Sequence, residues 1–337
     1  MTKSGKGPAM TIVAVVLLGA GTTAHADSIT INATFDSSIT SLVNAASVEG
    51  AINAGITELE SAIASPNNIT VNIDFQNMNS GLGQSETGIY TVSYYSYYNA
   101  FQAVATSANQ LTALASLGTA PTGPGSGNPV NADTQVYITS AEGRNLGFNT
   151  PGAVTAGSGT YDTVIGLNTS ITSPPNGLSG YYGLEAVALH EMDESLGIGG
   201  PGSTLSGSGS LTGAIGDLDL YRYSAAGARS YSNTQTTSPY SYFSIDGGAT
   251  VLSYFNQTSG ADFADWLSNP IPAGYGAQVQ NAFGETGTNP SLGVSELTAL
   301  NAIGYDFPPA STPEPSTLLL SGSVLAIAAG VRKKRRA

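Results

Sequence analysis

Cysteine is absent from the 337 residues, so no disulfide framework holds the fold together. Histidine is nearly absent. One of the two, His25, falls in a leader-like N-terminal segment, which leaves His190 alone and excludes any site built on two or three histidines of this chain. Positive charge is scarce as well: of ten Lys and Arg, Lys3 and Lys6 lie near the start, and Arg332, Lys333, Lys334, Arg335 and Arg336 lie at the end. Residues 27–310 keep only Arg144, Arg222 and Arg229, with no lysine, against 22 of the 23 acids, a net charge of −19. A surface this acidic repels nucleic acid and anionic lipid, which excludes nucleic acid as a partner, and it attracts cations and basic ligands. What is abundant is glycine, 42 residues, with many Ser, Thr, Asn and Tyr. Because the hydrophobic fraction is an ordinary 41%, this composition predicts a folded core with many turns and long loops.

The two ends carry address signals. Residues 1–26 read as a secretory signal peptide: Lys3 and Lys6 give a positive start, 9–19 is mostly apolar, and Ala24-His25-Ala26 is an A-x-A cleavage site that places the mature start at Asp27. At the other end Pro313-Glu314-Pro315-Ser316 is followed by an apolar run, 317–331, and then by the five basic residues. This order, over 311–337, resembles the PEP-CTERM sorting tail of exported Gram-negative bacterial proteins, and the resemblance implies processing by an exosortase. The apolar run is shorter than the roughly 20 residues of a comfortable span, and the basic end stays cytoplasmic by the positive-inside rule. The reading is export by the Sec route, transient insertion of 317–331 in the inner membrane, and a final address at the cell surface or outside the cell. An ordinary C-terminal anchor is the plainer alternative.

Between the ends, 27–310 reads as one domain, with no linker that forces a split and no repeat of fixed period. Alternating apolar residues predict strands at 28–35 and 69–75, and further strands follow at 134–138 and 162–167. Helical spacing through Ile52, Ile56, Leu59 and Ile63 predicts a helix over 48–63. Phe101, Val104, Ala105, Leu111 and Leu114 predict one long helix over 97–117, ahead of a Gly/Pro-rich loop at 118–131. Tyr90, Tyr94, Tyr95, Tyr97 and Tyr98 form a half-buried aromatic cluster, with a substrate platform as the alternative. The fold class is α+β, a mixed sheet plus one motif-bearing helix, with a loop-rich C-terminal part.

That helix spans 182–196, and it holds the one stretch with distinctive chemistry. His190, Glu191 and Glu194 make H-E-x-x-E, one residue away from the H-E-x-x-H of zinc peptidases, in which two helix-borne ligands bind zinc and the Glu is the general base. Residues four apart share a helix face, so His190 and Glu194 can grip one ion, while Glu191 lies about 100° round, where it can reach a water. Gly197 falls where the longer H-E-x-x-H-x-x-G-x-x-H signature has its glycine, but Gly200 stands where that signature has its last ligand. A third ligand must come from elsewhere. Asp217 and Asp219, two apart in a strand-like GDLDLYRYS, are the candidates, and Asp219 is the one taken. One His with two carboxylates is an oxygen-rich set, for which zinc is the first choice of divalent metal and manganese, iron or calcium are alternatives.

Most of the body resembles a group of bacterial metzincin-like metalloproteases that often carry PEP-CTERM tails. The resemblance rests on TFDSS at 34–38, the His190-Glu191 pair, DLYRYS at 219–224, YFSIDGG at 242–248, FNQ at 255–257, Asp265-Trp266, and ELTALNAIGYD at 296–306, in that order. It implies a metzincin-like metallopeptidase domain over 27–310 that acts on a protein or peptide. His190, Glu194 and Asp219 are then the metal ligands and Glu191 the catalytic base. No methionine follows Met192, so the methionine turn under the metzincin metal is missing.

Each residue also has a plainer reading. His190 could be a buried histidine with a hydrogen-bonded partner, and Glu185, Asp193 and Glu194 a solvated acidic face. Asp217 and Asp219 could serve turns or backbone caps. Asp246-Gly247-Gly248 is a hairpin turn, with calcium binding second, and Arg222 pairs with an internal carboxylate. The functional alternative to an endopeptidase is a non-catalytic cell-surface or matrix protein on the same fold.

Overall fold

The computed structural model describes residues 28–174, 178–205, 211–233 and 240–308. The signal peptide read at 1–26 and the tail read at 311–337 lie outside the described residues. No helix among the described residues is long and apolar enough to cross a membrane.

The chain opens with β1 (Ile29–Phe35), whose alternating burial follows its alternating sequence. A short helix α1 (Ser37–Thr40), capped by the Asp36 carboxylate on the Ser38 N–H at 2.8 Å, leads to α2 (Ala45–Ala62). Strand β2 (Ile69–Asn77) then pairs parallel with β1, Ile29 opposite Ile69. After β3 (Gly83–Thr87) and β4 (Ile89–Ser93) come α3 (Tyr94–Val104) and α4 (Ala108–Ser116). Next are β5 (Gln135–Thr139), α5 (Ser140–Asn145), a hairpin of β6 (Val154–Ala156) and β7 (Gly159–Tyr161), and β8 (Thr163–Leu167).

The main sheet has the order β1-β2-β8-β3. Its first three strands are parallel and β3 runs antiparallel at the edge, so the sheet is mixed, as the sequence predicts. Helix α6 (Leu184–Leu196) lies against this sheet and against α2. Gly55 of α2 sets that approach, because a Cβ there would already lie 3.3 Å from Leu189 Cγ and 3.3 Å from Met192 Cε. The core between them includes Val48, Ile52 and Leu59 of α2, Val71, Ile73 and Phe75 of β2, and Ala188, Leu189 and Met192 of α6. At the typical ~1.5–3 kcal/mol per fully buried large apolar side chain, burial in this layer helps hold α6 in place.

Two elements differ from expectation. The single helix predicted over 97–117 is two, because Ser107 caps α4 in a capping box: the Gln110 N–H donates to Ser107 Oγ at 3.2 Å, and the Gln110 side chain accepts from the Ser107 N–H at 2.8 Å. That S-x-x-Q unit competes with continued helix and wins at 105–107. The stretch read as a strand at 217–221 is a 3-10 helix, Asp217–Tyr221, with the following Arg222–Ala225 extended.

The tyrosines of the aromatic cluster divide: Tyr94, Tyr97 and Tyr98 are in the core, while Tyr90 and Tyr95 are only partly covered. Residues 255–293 contain no helix and no extended ladder, only isolated bridges, which matches the expected loop-rich C-terminal part. This loop is nevertheless fixed. Trp266 is fully buried between Phe243 and Phe255, ring centroids 5.7 and 5.5 Å away, and donates Nε1–H to Glu296 Oε1 at 3.0 Å. Helix α7 (Val294–Ala302), which carries Glu296, closes the described chain.

A candidate metal centre on helix α6

Helix α6 ends on Gly197, whose φ of +115° is open to glycine and costly for other residues. Within it Glu191, Asp193, Glu194 and Ser195 are buried together with the apolar residues. The carboxylates therefore do not form the solvated face that helix charges usually make.

His190 is held by its ring. Nδ1 lies 3.0 Å from the Val279 carbonyl, an atom that only accepts, so Nδ1 carries a proton and Nε2 faces the carboxylates. Nε2 is 3.8 Å from Glu194 Oε1, one helical turn on, and 3.9 Å from Asp265 Oδ2. His190, Glu194 and Asp265 each offer one ligand atom, all within 4.8 Å of one another. In a tetrahedral site with bonds of about 2.1 Å the donor atoms stand roughly 3.4 Å apart. The two distances measured from His190 Nε2 exceed that by about half an ångström, so the histidine stands close to ligand spacing from each carboxylate.

Glu194 is aimed as tightly as His190. Its Oε2 accepts from Ser85 Oγ on β3 at 2.5 Å, and its Oε1 accepts from the Gly200 N–H at 3.0 Å. Gly200, which stands where the longer zinc-peptidase signature has its third ligand, orients the second one instead. A Cβ at Gly200 would lie 2.8 Å from Glu194 Oε1 and 3.0 Å from Asp262 Oδ2, so a side chain there would displace Glu194. Glu191 packs against the start of β3, where a Cβ on Gly83 would overlap its Oε1. His190, Glu191, Glu194 and Asp265 line one cleft of about 460 Å³, together with Gly81 to Ser85 and the exposed Asp262.

The electrostatics show what the cluster lacks. Burial, then repulsion from Glu194, holds the Glu191 carboxyl well above its usual range. Burial also raises Glu194, against the pull of His190, and it raises Asp265 to about 8. Burial alone would lower His190, but Asp265, Glu191 and Glu194 together push it up to about 10. Carboxylates crowded out of water retain protons because His190 supplies at most one positive charge against three of them, and a divalent cation meets the same need.

The structure brings His190, Glu191 and Glu194 together as the i, i+4 spacing requires. It does not bring Asp219 to them. A 3-10 helix has three residues per turn, so Asp217 and Asp219 do not share a face as they would in a strand. Asp219 accepts from Ser203 Oγ at 2.6 Å and the Thr204 N–H at 3.0 Å, and lies 3.6 Å from Arg222 Nε in a fully buried pair. The guanidinium of Arg222 also stacks over Phe255 at 3.9 Å. Asp217 is hydrogen-bonded to the buried Glu142. The third carboxylate is Asp265, 75 positions after His190 in a loop without periodicity. Its one sequence signal was the Asp265-Trp266 pair, and the tryptophan explains the placement: Trp266 anchors the loop and Asp265 precedes it. Comparison of the chain with family profiles, curated proteins and solved structures finds no match.

Proposed function

We propose that the protein is an exported, cell-surface-sorted endopeptidase on a metzincin-like domain, dependent on a divalent metal ion held by His190, Glu194 and Asp265. The observation that carries the reading is the convergence of those three donors, two of them on the helix that also carries the buried Glu191. An ion in this set would polarise a scissile carbonyl and make water a better nucleophile. Zinc is the first candidate, with manganese, iron or calcium favoured by the carboxylate-rich set.

Glu191 is the general base. Its carboxylate takes the proton of the attacking water and returns it to the leaving amine. Burial raises that carboxyl's affinity for a proton, which suits the task better than the affinity of an exposed glutamate. Ser85 and Gly200 hold Glu194, and Val279 holds His190, so the set is preorganised.

A peptide substrate suits the walls. Strand β3 is the outermost strand of the main sheet among the described residues, and Gly81 to Ser85 line the cleft. An extended chain can add to such an edge through backbone hydrogen bonds, beside Glu191. Export through the signal at 1–26 and processing of 311–337 by an exosortase complete the proposal.

The test is Glu191→Gln in the full chain, with metal content and hydrolysis of a denatured protein both measured. Hydrolysis in the wild type, a loss of about 10²-fold or more in the variant, and unchanged metal content support the enzyme. Metal binding without proteolysis in either form supports the non-catalytic surface protein instead.

A further inference from the structure

The metal-centre reading leaves one buried group unexplained at its edge. Gln280 donates Nε2–H to Asp265 Oδ1 at 2.9 Å, and the same nitrogen lies 3.3 Å from His190 Nε2. Its other terminal atom, Oε1, is buried without a hydrogen-bond partner. The residue is 0% exposed, and its backbone is pinned on both sides: Gln280 N–H donates to Glu296 Oε1 at 3.2 Å, and Trp266 N–H donates to the Gln280 carbonyl at 2.8 Å. Room for the amide is kept by Gly199, where a Cβ would overlap Nε2.

We propose that Gln280 is the fourth metal donor, through Oε1, with the side-chain amide turned half a revolution about its last bond. The inference rests on the metal-centre reading above. The histidine Nε2 lone pair cannot both accept an N–H and bind an ion, so the amide N–H must leave when the ion is held there. The half turn exchanges the two terminal atoms and puts the unpartnered oxygen where Nε2 now stands. That position is 3.3 Å from His190 Nε2, close to the roughly 3.4 Å expected between donor atoms of a tetrahedral set. Amide carbonyl oxygens are ordinary ligands for hard divalent ions, and a neutral donor adds no net charge to a site that already holds Glu191, Glu194 and Asp265; the half turn gives up the bond to Asp265 Oδ1, so the ion must offset that loss. Val279 and Gln280 then act as one unit, in which Val279 fixes the tautomer of His190 and Gln280 supplies the oxygen.

The test is zinc titration of the chelator-stripped full chain, by competition with a chromogenic chelator, for the wild type, Gln280→Leu and Gln280→Glu. Thermal unfolding in chelator checks that each variant folds. The expected result is an affinity loss of at least about tenfold for Gln280→Leu and none for Gln280→Glu, which keeps an oxygen in place. If Gln280→Leu binds zinc as tightly as the wild type or more tightly, the amide only blocks the site; the proposal fails while the three-residue centre stands. A wild-type chain that binds no zinc and no manganese overturns both. A crystal structure of the zinc-loaded wild type decides independently of any variant: Oε1 at about 2.0–2.2 Å from the ion supports the assignment, and an amide nitrogen still facing His190 refutes it.

Discussion

Replacing Glu142 by Gln should make stability fall less steeply than in the wild type as pH rises from about 4 to about 7. Glu142 and Asp217 are 0% and 1% exposed and are hydrogen-bonded to each other beneath the C-terminal end of α6. Two carboxyls can bond only if one keeps its proton. Burial, then repulsion from Asp217, raises Glu142 well above its usual range, and burial raises Asp217 to about 7. The sign follows from linkage: the folded state holds a proton that the unfolded chain releases near pH 4.3, so stability falls as pH rises above that value. Each proton that the folded state keeps and the unfolded chain releases costs about 1.4 kcal/mol per pH unit. In Glu142→Gln the amide N–H donates to Asp217 at every pH and Gln can still serve the capping box of α5, so that proton no longer counts. Urea unfolding of both proteins at pH 5, 6 and 7 measures the difference. The wild type should lose about 1.4 kcal/mol per unit more than the variant. Equal slopes would refute the shared proton.

Gly200→Ala should displace Glu194 by bringing a methyl to within 2.8 Å of its Oε1, and weaken zinc binding by an order of magnitude or more, read by chelator competition. Trp266→Phe removes the donor to Glu296 and should cost about 1–3 kcal/mol in urea unfolding, with a loss of zinc affinity because Asp265 and Gln280 share that anchor. Arg144→Lys should destabilise by a similar amount, since Arg144 bonds both oxygens of Asp162, at 2.8 and 2.9 Å, and the Thr70 carbonyl, a fork that an ammonium cannot reproduce.

What the sequence determined is what repeats locally. Period-two burial produced β1 and β2, the 3.6 period produced α2 and α6, and the i, i+4 rule placed His190 over Glu194 with Glu191 to the side. Each depends only on a few neighbouring residues. The conformation at 217–221 was not legible in that way, because alternation of apolar and acidic residues suits a half-buried strand and a buried 3-10 turn equally once the acids find partners. The third carboxylate, the carbonyl that fixes the tautomer of His190 and the serine that aims Glu194 come from Asp265, Val279 and Ser85, far apart in the chain. Tertiary structure alone decided these. Ser85 reaches the site because β3 closes the edge of the sheet beside α6, and Asp265, Val279 and Gln280 reach it because burial of Trp266 and its bond to Glu296 pull an otherwise irregular loop across the helix. Chain closure over such distances leaves no period in the sequence, so one buried indole and one buried carboxylate determined a geometry that no local pattern records.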